Sequence, residues 1–343
     1  MSWKSSAIGA LALFVFASAA TAADIAVVRK APLAPEPLPQ ASGYVEVYGG
    51  WARTDESVTF CDPQLGCNAF AERFNGWVLG GAGRGNYWFS RNISTQLDAQ
   101  AEGTSYRRTD IFGPFTSHFS DHAYLIGGHV NWRDSQRGLI GIFGGAGDAG
   151  GGFQPAVRHG VIGGEAQLYL NQLTLYLQGG YDSSIGTINP VLDGIHAWFV
   201  RGTGRYFVTP NVMLEGTALY ANGTIEWGPI TSFGNQGFDT WLWQAKLEAR
   251  LGPHPFSVFA KYQGSRTEYD TISIFPGATV DETVKDHRIL VGLRLYMGEN
   301  TLLSNDRKGA TLDIISPLAD PTGPAMFSPS PGGGNAIAIG API

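Results

Sequence analysis

Between Tyr44 and Met297 apolar and polar residues alternate with a period of two. That is the repeat of a strand with one face in an apolar phase and one in a polar phase. The clearest instance is GGEAQLYLNQLTLYLQGGYD at residues 163–182. Ala166, Leu168 and Leu170 alternate with Glu165, Gln167 and Tyr169; Leu173, Leu175 and Leu177 then alternate with Thr174, Tyr176 and Gln178. The pair Asn171-Gln172 between them predicts a two-residue hairpin turn, since Asn tolerates the left-handed backbone such turns need. Alone, the hairpin fits two settings. The leucines could face a soluble core with the polar set in water, or face lipid with the polar set in a lumen.

The alternation predicts twelve strands, starting near Tyr44, Gly76, Ser94, His122, Leu139, Val161, Leu173, Ile195, Val212, Asp239, Phe256 and Arg288. Short turns follow the even-numbered strands (WFSRN, DSQRG, NQ, VTPN and GPHP). Longer loops follow the odd-numbered ones, at residues 54–75, 107–121, 150–160, 183–194, 225–238 and 267–287. A soluble sandwich has no reason to keep long loops at one end. An even strand count with short turns on one rim is the pattern of an outer-membrane barrel. The expected fold is therefore all-β: a closed antiparallel up-and-down transmembrane β-barrel of about twelve strands over residues 43–298. Both termini and the short turns would be periplasmic.

Aromatic placement agrees. Trp and Tyr gather at lipid–water interfaces. Trp51, Trp77, Tyr106, Tyr124, Tyr181, Trp198, Tyr220, Trp241 and Tyr262 fall near outer strand ends, and Tyr87, Trp88, Trp132, Tyr206 and Tyr296 near periplasmic ends. Trp51, Trp77, Trp132, Tyr181, Trp198, Tyr206 and Trp241 are the main candidates for an aromatic girdle. Val45 and Val47, Leu97 and Ala99, Ala245 and Leu247, and Ile289 to Leu295 in alternation supply the lipid face between. The fifth strand, LIGIFGGAGD, is apolar on both faces and leaves its inward side open.

The flanks add a compartment. Lys4, the apolar stretch 7–17 and the small-residue site Ala20-Thr21-Ala22 predict a secretory signal peptide over residues 1–22, cleaved after Ala22 or Ala23. Residues 23–42 are proline-rich and predict an extended periplasmic linker. Residues 299–343 end in a Pro/Gly-rich stretch and predict a periplasmic tail, mostly disordered. Glycine, at 47 of 343 residues, is about twice as frequent as usual, only 15% of residues are charged, and the net charge of −6 argues against a nucleic-acid partner. Cys61 and Cys67, in CDPQLGC, predict a loop disulfide in an oxidising compartment; two cysteines alone cannot fill a zinc site.

Function should lie on the inward face. The expected lumen has an acidic wall of Glu46, Asp98, Glu102, Glu165 and Asp182, and a basic wall of Arg201, Arg205, Lys246, Arg250, Lys261, Arg288 and Arg294. Arg84, His129, Arg133, Glu215 and Glu248 also point inward. If water keeps the walls apart, the barrel is a narrow pore for passive diffusion of small hydrophilic solutes, with a leaning toward anions. If the charges meet, the lumen is filled, and a structural or surface-adhesion role through the outer loops follows. Twelve strands lie between the widths that side chains fill and the widths that leave a channel. A third reading is a lipid-modifying enzyme using His122 or His196 near Ser117 and Ser120. It lacks a G-x-S-x-G motif. HFSDH, with His118, Asp121 and His122, has loose metal-ligand character. No cofactor is expected.

The leader DIAVVRKAPLAPEP, the first strand YVEVYGGW and the extension TLLSNDRKGATLD resemble those of alphaproteobacterial, especially rhizobial, outer-membrane β-barrel proteins. The last strand is similar to the signal read by barrel assembly machinery, with Gly292, Leu295 and Met297 in place, but Leu290 stands where a polar residue is usual. Many such relatives have eight strands, so their detailed roles do not carry over to twelve. The resemblance implies an outer-membrane porin-like protein among lipid and lipopolysaccharide, inserted by the assembly machinery and, for some members, passing small solutes.

Overall fold

A computed structural model describes residues 41–314 except 65, 110–115, 152–153, 187–191, 228–234 and 276. The signal peptide, nearly all of the linker and the tail beyond residue 314 lie outside the described residues. The strands are β1 (Ala41–Asp62), β2 (Gly66–Trp88), β3 (Ile93–Thr109), β4 (Thr116–Asp134), β5 (Gly138–Gly151), β6 (Gln154–Leu170), β7 (Leu173–Ser184), β8 (Leu192–Thr209), β9 (Val212–Trp227), β10 (Gln236–Arg250), β11 (Phe256–Phe275) and β12 (Ala278–Met297), followed by helix α1 (Leu302–Lys308). Each strand pairs antiparallel with its sequence neighbours, and β1 pairs with β12 to close the barrel. Closure leaves no sheet edge, as a wall in lipid requires.

The hairpin at Asn171-Gln172 forms as its sequence predicts. Leu170 pairs with Leu173, Leu168 with Leu175 and Ala166 with Leu177. Asn171 has φ 49°, the left-handed conformation a tight turn requires. Its leucines face outward, Leu177 being 57% exposed, while Glu165, Gln167 and Gln178 are buried in the lumen. Gly163 and Gly180 sit opposite each other deeper in the same hairpin. A side chain at either would run into the Phe143 or Phe199 ring, so these glycines make room for inward aromatics.

The outer wall is an apolar belt with defined limits. On β1, Val45 and Val47 face outward, Trp51 ends the apolar run, and Arg53 then pairs with Asp55 at 2.7 Å. Trp51, half-buried, pairs with Trp77, and Trp198, Tyr220 and Trp241 lie in edge and tilted contact, with centroids 5.3 and 4.8 Å apart. With the exposed Tyr181, Trp132 and Tyr206, every main girdle candidate faces outward. Tyr106, Trp88 and Tyr296 do not: all three are buried in the lumen. Each sits near a strand end but on the inward parity, and parity, not height, decides the face. For β5 the structure settles the open question: Leu139 and Phe143 are buried inward, while Ile140 and Ile142 face outward.

Among the described residues, the stretches 54–75 and 267–287, expected as long loops, are largely strand. β1 and β2 stay paired out to Asp62 and Gly66, far into the stretch 54–75, and β11 and β12 out to Phe275 and Ala278. Beyond the apolar belt the outward face turns polar, so the apolar alternation fades while backbone pairing continues. Cys61 and Cys67 face each other near the tip of the β1–β2 ribbon and are joined as a disulfide.

Candidate functional site: an occupied lumen

The charged residues meet instead of facing each other across open water. Arg288 donates to Asp286 at 2.7 Å and to Glu102, which also accepts from the Tyr48 hydroxyl at 3.0 Å. The Arg288–Glu102 pair joins β12 to β3, from the basic wall to the acidic one. Arg294 binds Glu46 on the neighbouring strand and Glu248 on β10. Glu215 accepts from Arg205 at 2.8 Å and lies 3.4 Å from Lys246. On the acidic side His129 stands between Asp98 (2.9 Å) and Glu165 (2.8 Å), and His159 lies 2.9 Å from Asp182. The Lys261 ammonium sits 5.2 Å from the Tyr48 ring centroid. Buried charges need such partners.

The basic wall takes further partners from a part of the chain that the sequence places elsewhere. The chain leaves β12, turns at the barrel rim carrying the short turns, and re-enters the lumen. Arg250 fixes the turn, donating to the His254 and Glu299 carbonyls. Thr301 caps α1 and forms a reciprocal capping box with Ser304. The helix is seven residues long and ends at Gly309. Residues 310–314 then run along the inner wall, with Ala310, Leu312 and Ile314 buried. Residues 299–314, expected as part of a mostly disordered periplasmic tail, are thus ordered and lie inside the barrel. Their polar groups bond to polar groups of the lumen wall.

This bonding is extensive. Gln96 accepts from the amides of Thr311 and Leu312 at 3.0 and 3.1 Å and donates to the Leu312 carbonyl at 2.7 Å. Arg133 donates to the Gly309 carbonyl, Trp88 to that of Lys308, and Arg307 to the carbonyl of Asn171 in the hairpin turn, all at 2.8 Å. Asp306 accepts from Thr174 at 2.5 Å and from Arg205 at 3.1 Å. Asp313 takes both terminal nitrogens of Arg201, at 2.9 and 2.6 Å. Ile314, at the inner tip, completes an apolar layer with Leu125, Phe143, Val161, Phe199, Leu219 and Leu242. Contacts thus reach β2, β3, β4, β7 and β8, and the segment acts as a plug.

A polar cavity of about 100 Å³ remains on the other side of the plug. Arg84, Lys246 and Lys261 line it from the barrel together with the carboxylates Glu46 and Glu215, and Asp306 and Asp313 line it from the plug. It is roomy and polar enough for several waters or a small anion. Toward the long-strand end the lumen holds two apolar clusters, Tyr48, Phe74, Tyr106, Phe259 and Leu290 in one and Val157, Ile195, Ile225 and Phe238 in the other, beside the buried Arg288–Asp286–Glu102 and His159–Asp182 groups.

Asp306 and Asp313 are the site residues that sequence reasoning missed. Two signals point to them: the Thr301-x-x-Ser304 cap followed by LLSNDRK, and an inward basic set too large for the inward acids of its own strands. His122, half exposed, has its Nε2 3.7 Å from Asp148, and His196 has its Nδ1 3.8 Å from Glu226. The side chain of His118 lies outside the described residues. Among the described residues no group of three His, Cys, Asp or Glu side chains is placed to hold a metal ion.

No protein-family model matches the chain, and no curated protein matches its sequence. Solved structures of outer-membrane barrels are similar at low identity, among them the following three. An outer-membrane channel from Pseudomonas putida F1 is 9% identical over 79% of this chain and 100% of that one, with a TM-score of 0.49. The translocator domain of the autotransporter NalP from Neisseria meningitidis is 8% identical over 73% of this chain and 88% of that one, with a TM-score of 0.40. A FadL homologue from Pseudomonas aeruginosa is 10% identical over 75% of this chain and 90% of that one, with a TM-score of 0.36.

Proposed function

We propose that the chain is an outer-membrane channel for small hydrophilic anions, closed at rest by its own C-terminal segment. The single observation that carries this reading is the nature of the closure. A separate terminal segment, held largely by hydrogen bonds and ion pairs, blocks a lumen whose own wall is charged. Polar contacts can be handed over to an incoming anion and water, a substitution that a close-packed apolar core does not offer. The signal peptide, the apolar belt and the leader resemblance support an outer-membrane location with both termini and the short turns in the periplasm. The plug would then enter from the periplasmic side.

The test is conductance of the full-length protein in a planar bilayer. Wild type should show rare stepwise openings, and a variant carrying Asp306→Asn and Asp313→Asn should open far more often, with anion selectivity. Substituting Arg201, Arg205 and Arg250 should remove that selectivity. No stepwise conductance from either protein, or cation selectivity in both, would sink the reading.

The apolar clusters at the long-strand end favour a second reading, a permanently sealed barrel with an envelope or adhesion role. It predicts silence in the bilayer for every plug variant, and phenotypes that map to the β1–β2 ribbon.

A further inference from the structure

The two plug carboxylates converge on one guanidinium. Arg205 donates through Nη1 to Asp306 at 3.1 Å, and its Nη2 lies 3.9 Å from Asp313. Asp313 is held in turn by the two-pronged contact with Arg201. Two planar carboxylates are thus presented close together to two arginines, the geometry that guanidinium forks recognise best. The same carboxylates line the polar cavity, so the site is open to solvent on that side. Arg84 faces the cavity as well, 5.3 Å from the Tyr44 ring centroid. Among the described residues no carboxylate lies within ion-pair distance of Arg84.

The electrostatics restrict how the plug can leave. Arg201 is buried and Asp313 is its carboxylate partner, so withdrawing the plug alone would strand that charge inside the barrel, while Arg205 would keep Glu215 at 2.8 Å. Withdrawal becomes favourable when another anion takes the place of the plug carboxylates. A species with two carboxylates on a short chain meets that requirement in one binding event.

We propose that the plug is a tethered competitor for a small dicarboxylate. The solute enters the cavity lined by Arg205 and Arg84, takes these and then Arg201, which lies beyond the cavity lining against Asp313, and so releases the segment. The inference rests on the plugged-channel reading for its purpose, but it concerns who occupies the arginines and not whether ions cross. A tethered competitor acts at high effective concentration, so the solute must work in the millimolar range unless the tether's carboxylates are weakened. Apparent affinity is then reduced by the fraction of molecules with the plug docked.

Equilibrium dialysis of radiolabelled succinate against the full-length protein in detergent, at constant ionic strength, decides the point. Asp313→Asn should bind succinate about tenfold more tightly than wild type, the shift expected when a charge-assisted pair of the competitor is lost. Arg201→Gln should lose the site, and Arg201→Lys should recover part of it, which separates lost recognition from misfolding. In wild type, saturating succinate should speed hydrogen exchange at the Thr311 and Leu312 amides, and acetate at the same ionic strength should not. Equal succinate affinity in wild type and Asp313→Asn overturns the proposal, as does binding by neither. Phosphate displacing the label as well as unlabelled succinate overturns the dicarboxylate assignment. Conductance enters none of these readings. A protein that binds succinate but never conducts removes the channel reading alone, and a conducting protein blind to succinate removes this inference alone.

Discussion

Arg201 and Asp313 meet through two hydrogen bonds, Nη1 to Oδ2 at 2.9 Å and Nη2 to Oδ1 at 2.6 Å. Arg201 is 1% exposed, and its guanidinium carbon lies 4.9 Å from the Tyr176 ring centroid. The arginine belongs to β8 and the aspartate to the segment after the last strand. Wall and plug are therefore one electrostatic unit, in which the buried Arg201 charge depends on the plug's carboxylate.

Breaking this pair from either side should loosen the plug. Asp313→Ala leaves Arg201 buried without its carboxylate, a loss of about 3–5 kcal/mol in plug docking by the usual cost of a broken buried pair. Hydrogen exchange over residues 299–314 should rise by orders of magnitude while exchange in the strands stays slow. Arg201→Ala should have a similar effect, and the double variant should cost less than the sum of the two. Strict additivity would show that the pair does not hold the plug.

The apolar tip gives an independent prediction. Ile314 packs with Leu125, Phe143 and Phe199 in the layer that closes the middle of the lumen. Ile314→Ala should weaken docking by about 2–5 kcal/mol, the range for large-to-small changes in a packed cluster. Gly127 approaches so closely that a Cβ there would collide with Ile314 and with the backbone of β5. Gly127→Ala should therefore disturb plug and wall together. Protease sensitivity of residues 299–314 reads the plug, and heat-modifiable gel migration reads the barrel. An Ile314→Ala protein that loses barrel migration before plug protection would contradict this order.

The wall was far more legible in the sequence than its contents. Period-two alternation identifies Leu168, Leu170 and Leu177 as outward and Glu165 and Gln178 as inward, because lipid on one side and polar groups on the other impose a strict parity. Beyond Trp51 that contrast disappears, and strand there looks like loop. LIGIFGGAGD could not be oriented because its inward neighbours, Phe199 and Ile314, are themselves apolar. The plug was hidden for a different reason. TLLSNDRKGATLD has little intrinsic tendency to fold, and its order comes from Gln96, Arg133, Arg201 and Arg205, each far away in sequence. Local pattern carries no record of such partners.

The Cys61–Cys67 disulfide should matter only locally. It closes a short loop at the tip of a ribbon whose two strands are already paired down to the opposite barrel rim. Replacing both cysteines by serine should cost about 2–3 kcal/mol on the loop-entropy model, confined to that tip. Proteolysis within residues 60–68 should accelerate, with conductance and plug protection unchanged. A shift in plug exchange would mean that the ribbon tip and the lumen are coupled.

Asp313 belongs to the plug and not to a membrane-spanning strand, and its side chain keeps 23% exposure. Burial alone would raise its pKa; the Arg201, Arg84 and Arg205 guanidiniums outweigh that and hold it well below the ordinary 3.8. A group whose docked pKa is depressed contributes stability that is fully present above its free pKa. That stability is lost as pH falls through the docked value. Between about pH 8 and pH 5 Asp313 is ionised in both states, so plug exchange and closed-state dwell times should not change through this group. Docking should weaken only below about pH 4, where the free carboxylate protonates and the docked one resists. In Asp313→Asn that acid-dependent component should vanish, leaving a plug that is looser at every pH. Single-channel recordings from about pH 8 to pH 3 would check this, and opening that begins near neutral pH in wild type but not in Asp313→Asn would show that Asp313 is not held as described.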